Sequence, residues 1–166
     1  MIRFVFVAAI ALASPLTAQV SKQYRSPDFS GRDKSFSYMR SRIMEGLRSG
    51  PNFSNNYTII RTGCGTGCTS NYIVDRRTGK VFNIPWGGEI YNMLNLRFNL
   101  KSNQITAAWF DGDMCTSQTG RWNGSAFELT SSPRGRPNSF CEGWLDLSLF
   151  GKQVVSRWTI THSMII

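Results

Sequence analysis

The chain is nearly devoid of histidine. His162, close to the C-terminus, is the only one. A Cys–His or Ser–His pair would have a single imidazole to draw on, and the sequence places no partner beside it. There is no Gly-x-Ser-x-Gly, His-Glu-x-x-His or phosphate-loop motif, so serine hydrolase, zinc protease and P-loop nucleotide chemistry have no signature here. With no histidine cluster and no four-cysteine spacing, zinc has no ligand set. Asp111-Gly112-Asp113 lacks the further oxygen ligands of a calcium loop and reads as a turn. No metal or cofactor is therefore assigned, and no catalytic residue. Acidic residues are few (10 Asp and Glu) and dispersed. Glu89, after Trp86-Gly87-Gly88, and Glu142, before Trp144, come nearest to a carbohydrate context, because tryptophan commonly lines sugar sites. No fixed-period repeat is visible. Long hydrophobic runs are also missing: the longest, Phe4 to Ala13, is about half of the roughly 20 residues a membrane span needs.

That short run has a different reading. Met1-Ile2-Arg3 is a positively charged start, and the ten apolar residues after it have the size of a signal-peptide core. Ser14-Pro15 breaks the run, and Leu16-Thr17-Ala18 ends in a small residue suited to cleavage. Residues 1–18 are thus expected to be a leader, and the mature chain to be periplasmic or secreted, with no transmembrane segment. Residues 19–33, polar and carrying Ser26-Pro27-Asp28, read as an extended arm, and 34–166 as one β-rich domain.

Basic residues outnumber acidic ones. The net charge is +9, or +8 once Arg3 leaves with the leader. Most of the excess is arginine, which suits planar contacts with carboxylate and phosphate. An anionic cell-envelope ligand or an exported protein fits such a surface. So does a merely solvated one, since the charges are dispersed, and Arg76-Arg77 and Arg134-Gly135-Arg136 are the tightest groups. Export makes nucleic acid the least suitable partner.

Four cysteines in an exported chain read as two disulfides. Cys64–Cys68 with Cys115–Cys141 is the preferred pairing. A crossed pairing and a free thiol at Cys64 or Cys68 stay open. In the chain-entropy account the longer loop stabilises by about 3–4 kcal/mol and the shorter by about 2 kcal/mol.

Asp33 or Ser35 can cap a helix, and Phe36, Met39, Ile43 and Leu47 then recur on one helical face. Gly50-Pro51 ends that helix of about 13 residues, whose stripe is suited to covering a sheet. From there the periodicity becomes that of strands. Tyr57 to Arg61, Asn71 to Val74 and Lys80 to Ile84 are β-prone, the last two forming a hairpin. Leu96, Phe98 and Leu100 alternate with Arg97 and Asn99. Ile105 to Phe110 follows, and Thr119 to Trp122 and Ser125 to Leu129 flank Asn123-Gly124, a strong hairpin signal. Residues 131–139 read as an exposed loop, and Val154 to Ile160 as a last strand. The expected fold is mainly β (α+β once the helix is counted). It is an antiparallel meander of about seven or eight strands, sandwich- or barrel-like, with one N-terminal amphipathic helix. Trp109 and Trp158 fall in strand patterns and are assigned to the core. Trp86, Trp122 and Trp144 adjoin turns, where they could be exposed.

Pro51-Asn52-Phe53 with Tyr57, then Gly63-Cys64-Gly65-Thr66-Gly67-Cys68, then Ile73-Val74-Asp75 with Thr78-Gly79-Lys80-Val81 resembles a group of small exported bacterial proteins. They share an NF…Y…GCGTxC…DxxTGxV signature. Trp122-Asn123-Gly124 with Phe127 is similar to their closing hairpin. The resemblance covers about half the mature chain. It implies export and a β-rich domain, and brings no catalytic residue with it. Cys115 and Cys141 lie outside that signature.

The glycines around Cys64 and Cys68 suit a stapled turn. Their N–H groups could also form an anion nest. The candidate ligand set is therefore Arg61, Gly65, Thr66 and Gly67, with Arg76 and Arg77 as further cations. Three functions are carried forward. The first is a non-enzymatic exported binding domain, the second an inhibitor or immunity-type protein, and the third an enzyme using the Cys64 or Cys68 thiol. A redox dithiol usually has two residues between its cysteines, whereas here there are three.

Overall fold

A computed structural model describes residues 23–143 of the chain. The leader expected over 1–18, Trp144, the strand expected over 154–160, Trp158 and His162 lie outside the described residues. Among those residues the fold is mostly antiparallel β, in a sandwich-like arrangement and not a closed barrel. β1 (Tyr57–Gly65), β2 (Cys68–Asp75) and β3 (Val81–Asn83) form the first sheet in that order. β4 (Asn92–Arg97), β5 (Gln104–Asp111), β6 (Met114–Trp122) and β7 (Phe127–Leu129) form the second, and β8 (Arg134–Arg136) also pairs with β6. Within each sheet successive strands pair antiparallel, as in a meander, except that β8 returns to β6 beyond β7, and the chain crosses between the sheets after β3.

The period-2 alternation of β1 sorts its side chains between two cores. Tyr57 and Ile59 face the second sheet, in a cluster with Ile73, Leu94, Leu96, Ile105, Ala107 and Trp109. Ile60 faces outward, in a cluster with Tyr72, Val74, Val81, Ile43 and Leu47. The last two come from helix α1 (Arg40–Ser49), so the helical stripe read from the sequence does cover a sheet. The helix starts differently from expectation. Lys34–Met39 forms a 3-10 turn ahead of α1, and Asp33 makes no capping hydrogen bond. Two disulfides are present, Cys64–Cys68 and Cys115–Cys141. The second ties α2 (Asn138–Glu142) to the outer face of the second sheet, where Cys115, Cys141 and Ala108 are buried together with Phe110 and Phe140 against them.

The tryptophans at turns are a correction. Trp86 and Trp122 are buried, not exposed, and both lie between the sheets with Trp109. Trp86 has left the strand pattern but folds back under it. Its indole Nε1 donates to Gln118 Oε1 at 2.9 Å, and its carbonyl accepts from Asn71 Nδ2 at 2.9 Å. Position 120 must be glycine for this to happen, because a Cβ there would lie 2.8 Å from the Trp86 ring. With Trp86 enclosed, the carbohydrate rationale for Glu89 disappears.

Two strand readings also shift. β4 runs over Asn92–Arg97 rather than 96–100, because Asn99 closes a turn: its side chain accepts from Lys101 N at 2.9 Å and its carbonyl from Ser102 N at 3.4 Å. The expected loop 131–139 contains β8 and the start of α2. Its residues are exposed, as read, but the backbone of Arg134–Arg136 pairs with Cys115–Ser117 all the same.

Residues 23–33 form no helix or strand, yet they dock on the first sheet, with Pro27, Phe29 and Asp33 buried. The Asp33 carboxylate accepts from the N–H groups of Asp28 (3.0 Å) and Val81 (3.1 Å) and from Arg32 Nη2 at 2.8 Å. Burial works to raise its pKa, but the Arg32 guanidinium and the Val81 and Asp28 amides together hold it below the ordinary carboxylate value. A depressed folded pKa contributes stability above the unfolded value, near 3.9, that is lost as pH falls through the folded one. Asp33→Ala should cost about 2 kcal/mol at neutral pH by stranding the two amides. Urea unfolding of both proteins at neutral and acidic pH should show the gap narrowing in acid.

Candidate functional site

The β1–β2 ladder separates the residues that the sequence had grouped. Gly65 pairs with Cys68 at the tip, next to Thr66 and Gly67, whereas Tyr57 pairs with Asp75 at the other end, where Arg76 and Arg77 begin the next turn. At a rise of about 3.3 Å per residue, β2 alone puts roughly 25 Å between them. Arg61 lies midway and turns its Nη2 to Leu94 O at 3.2 Å, bridging from β1 to β4. The six residues therefore do not make one site. The tip glycines do not share a site with the arginine pair, and Arg61 bonds across the sandwich.

The arginine end does form a cleft, of about 560 Å³, lined by Gln23, Tyr24, Arg25, Pro51, Asn55, Asn56, Arg76 and Arg77. Local chemistry builds each wall. Asp75 ends β2, and its Oδ1 accepts from Arg77 N at 2.9 Å, folding the chain into a turn. The Arg76 N–H donates to Asn56 O, and Arg25 N to Arg76 O, both at 2.9 Å, so three chain segments run side by side. Ser54 and Asn55 sit at positive φ (42° and 63°), and their amides donate to Ser102 O and Leu100 O in the turn between β4 and β5. Asparagine tolerates that conformation better than most residues.

The cations differ in role. Arg76 is buried, and its Nη1 donates to Leu47 O at 2.6 Å and to Thr58 Oγ1 at 3.1 Å. It thus satisfies a carbonyl in the last turn of α1, where a cation is favoured. Its guanidinium carbon sits 5.2 Å from the centre of the Tyr24 ring. Burial pushes its pKa down, with Tyr24 acting in the opposite sense. Arg76, proposed from sequence as a ligand residue, is first of all the clasp between helix and sheet. Arg77 is 62% exposed and pairs with Asp75 at 3.2 Å, and its hydrogen bond to that carboxylate raises its pKa. Arg25 is exposed. Sequence reasoning missed Arg25, Asn55 and Asn56, because only the tertiary bonds of Arg25 N to Arg76 O and of Arg76 N to Asn56 O bring these segments together. Three arginines line the cleft, and the one carboxylate beside it, Asp75, is paired with Arg77.

A second groove, of about 540 Å³, runs between α1 and β1. Its Arg42 is paired with Glu45, and the Asn52 amide takes both edge hydrogen bonds of Ile59. That groove is less charged and partly filled by its own chain. Among the described residues no helix is long and apolar enough to cross a membrane, and no group of three or more His, Cys, Asp or Glu could hold a metal. All four cysteines are paired. Comparison with protein-family models, with curated proteins and with solved structures gives no match.

Proposed function

We propose that this is an exported, disulfide-stabilised binding domain that holds an anionic group, phosphate or carboxylate, of a cell-envelope component in the arginine cleft. One observation carries the reading: Arg25, Arg76 and Arg77 line a single cleft with the amide side chains of Asn55 and Asn56. Guanidinium groups and amides are the donors that planar oxyanions need. The leader-like residues 1–18 support export. The pairing of both Cys64 and Cys68 disfavours a thiol enzyme in the resting state.

The test uses the chain from Gln19 onward, titrated with inorganic phosphate by calorimetry and floated with phosphatidylglycerol vesicles. Arg25→Ala and Arg77→Ala should each weaken binding about tenfold, the size of one lost charge-assisted hydrogen bond. Binding should also weaken with salt. Arg76 is unsuitable as a probe, since its loss would loosen α1. Equal binding by wild type and by the Arg25→Ala/Arg77→Ala double variant would refute the cleft.

An inhibitor-type protein is the second reading. It is favoured by Ile90 and Met114, apolar residues that are 79% and 63% exposed. It requires a tight stoichiometric complex with an exported protein that Ile90→Asp or Met114→Asp breaks.

A further inference from the structure

The two disulfides are chemically unequal. Cys115 and Cys141 are 0% and 4% exposed, so no reagent reaches either sulfur without local opening. In the other pair Cys68 is 7% exposed, while Cys64 is exposed at the hairpin tip. Cys64 is thus the more accessible residue of this bond. Thiol–disulfide exchange needs a thiolate to reach one sulfur of the bond, and which sulfur it reaches sets the intermediate and the leaving group.

We infer that Cys64 is a site of covalent thiol exchange, specific for a dithiol reactant and attacked before any other sulfur in the protein. The incoming thiolate bonds to Cys64 Sγ, the Cys64–Cys68 bond breaks, and its electron pair leaves on Cys68 as a thiolate. The intermediate is a mixed disulfide at Cys64. The Cα atoms of Cys64 and Cys68 are 5.1 Å apart, so the Cys68 thiolate stays within reach and can reclose the ring by expelling the captured thiol. A monothiol is therefore mostly returned unchanged. A dithiol already holds its second thiol beside the mixed disulfide, at high effective concentration. That thiolate attacks the reactant's own sulfur and closes the reactant's disulfide, leaving Cys64 and Cys68 reduced. Two electrons pass from the dithiol to the protein disulfide. After protonation the products are one oxidised dithiol and two protein thiols.

Opening the ring acts on the tip. Gly67 O accepts from Met93 N at 2.7 Å, a backbone bond from the tip of the first sheet to the second. Gly65 and Gly67, inside the disulfide ring, hold φ of 144° and 71°, conformations open to glycine. Reduction frees those torsions and should loosen the Met93 amide.

The experiment treats the full oxidised chain with dithiothreitol or with glutathione at equal thiol concentration, quenches with iodoacetamide and maps the peptides. Cys64 and Cys68 should become alkylated at least tenfold faster than Cys115 and Cys141. Dithiothreitol should outpace glutathione, and glutathione should be found on Cys64 and not on Cys68. Hydrogen exchange at Met93 should quicken on reduction while the β5–β6 amides keep their protection. The single variants give a second measure: Cys64 in Cys68→Ser should alkylate about tenfold faster than Cys68 in Cys64→Ser. Reduction of both disulfides at one rate, glutathione on Cys68, or equal alkylation of the two variants would each overturn the assignment.

Discussion

Trp86→Ala is expected to cost about 3–5 kcal/mol, the range for emptying a buried aromatic site. The ring is fully buried between the sheets. It lies 6.0 Å from Phe127 and closes over Gly120, so the surrounding strands cannot collapse into the hole without breaking the ladder. The substitution also leaves Gln118 Oε1 without its indole donor, adding about 1 kcal/mol or more. Small domains of this size have only about 5–15 kcal/mol in total. Urea unfolding followed by circular dichroism reads the loss directly. Trp86→Phe separates the two contributions, since it restores most of the volume but not the hydrogen bond. A cost under about 1 kcal/mol for Trp86→Ala would mean that the indole does not pack as described.

Removal of the Cys115–Cys141 bond, with both residues changed to serine, should cost about 3.5 kcal/mol. Its sequence separation is 26 residues, and chain-entropy arithmetic gives that figure for such a loop. The corresponding change at Cys64 and Cys68, separated by 4, should cost about 2 kcal/mol. The larger effect has a structural address. α2 has five residues, too few to be helical unaided. β8 has three exposed residues, held by the β6 ladder, by the Arg136 Nε bond to Ser117 Oγ at 3.0 Å and by the Arg136 guanidinium over the Phe140 ring. Hydrogen exchange in the double variant should therefore show β8 and α2 losing protection while β1 and β2 keep theirs. Uniform loss across both sheets would mean that the bond supports the whole sandwich.

Much of the fold was legible because the informative residues act locally. Asp111-Gly112-Asp113 is a tight turn, with Asp111 paired to Met114 and Gly112 at φ 60°. Asn123 closes its hairpin with its own side chain, accepting from Ser125 N and Ala126 N at 2.9 Å each. Ile43 and Leu47, four residues apart, fall on one helical face whatever lies beyond it. The preferred cysteine pairing is the observed one: the short ring lies within one hairpin, and once it closes the other two cysteines are left for each other.

The candidate site was less legible. Arg76 and Arg77 are adjacent in sequence, yet one is a buried clasp on Leu47 O and the other an exposed partner of Asp75. Nothing in a pair of arginines announces that difference, because the turn that follows Asp75 sends them to opposite surroundings. Trp86 and Trp122 were misplaced for the same kind of reason. Position beside a turn does not report burial when the chain folds back between two sheets. Pro-Arg-Gly composition at 133–136 suggested a loop, and β8 forms there because a ladder needs only backbone groups and an available edge.

Backbone freedom, side-chain periodicity and ring closure over a few residues decide where this chain turns, which helix face is apolar and which cysteines meet. Those are properties of neighbours, and neighbours are written in order. Packing between segments far apart decides the rest: that Gly120 must yield to Trp86, that Asp33 serves the Val81 amide 48 residues away, that Arg25 joins Arg77 in one cleft, and that Cys64 stands open while Cys115 does not. These depend on how two sheets face each other and on what each then excludes from water.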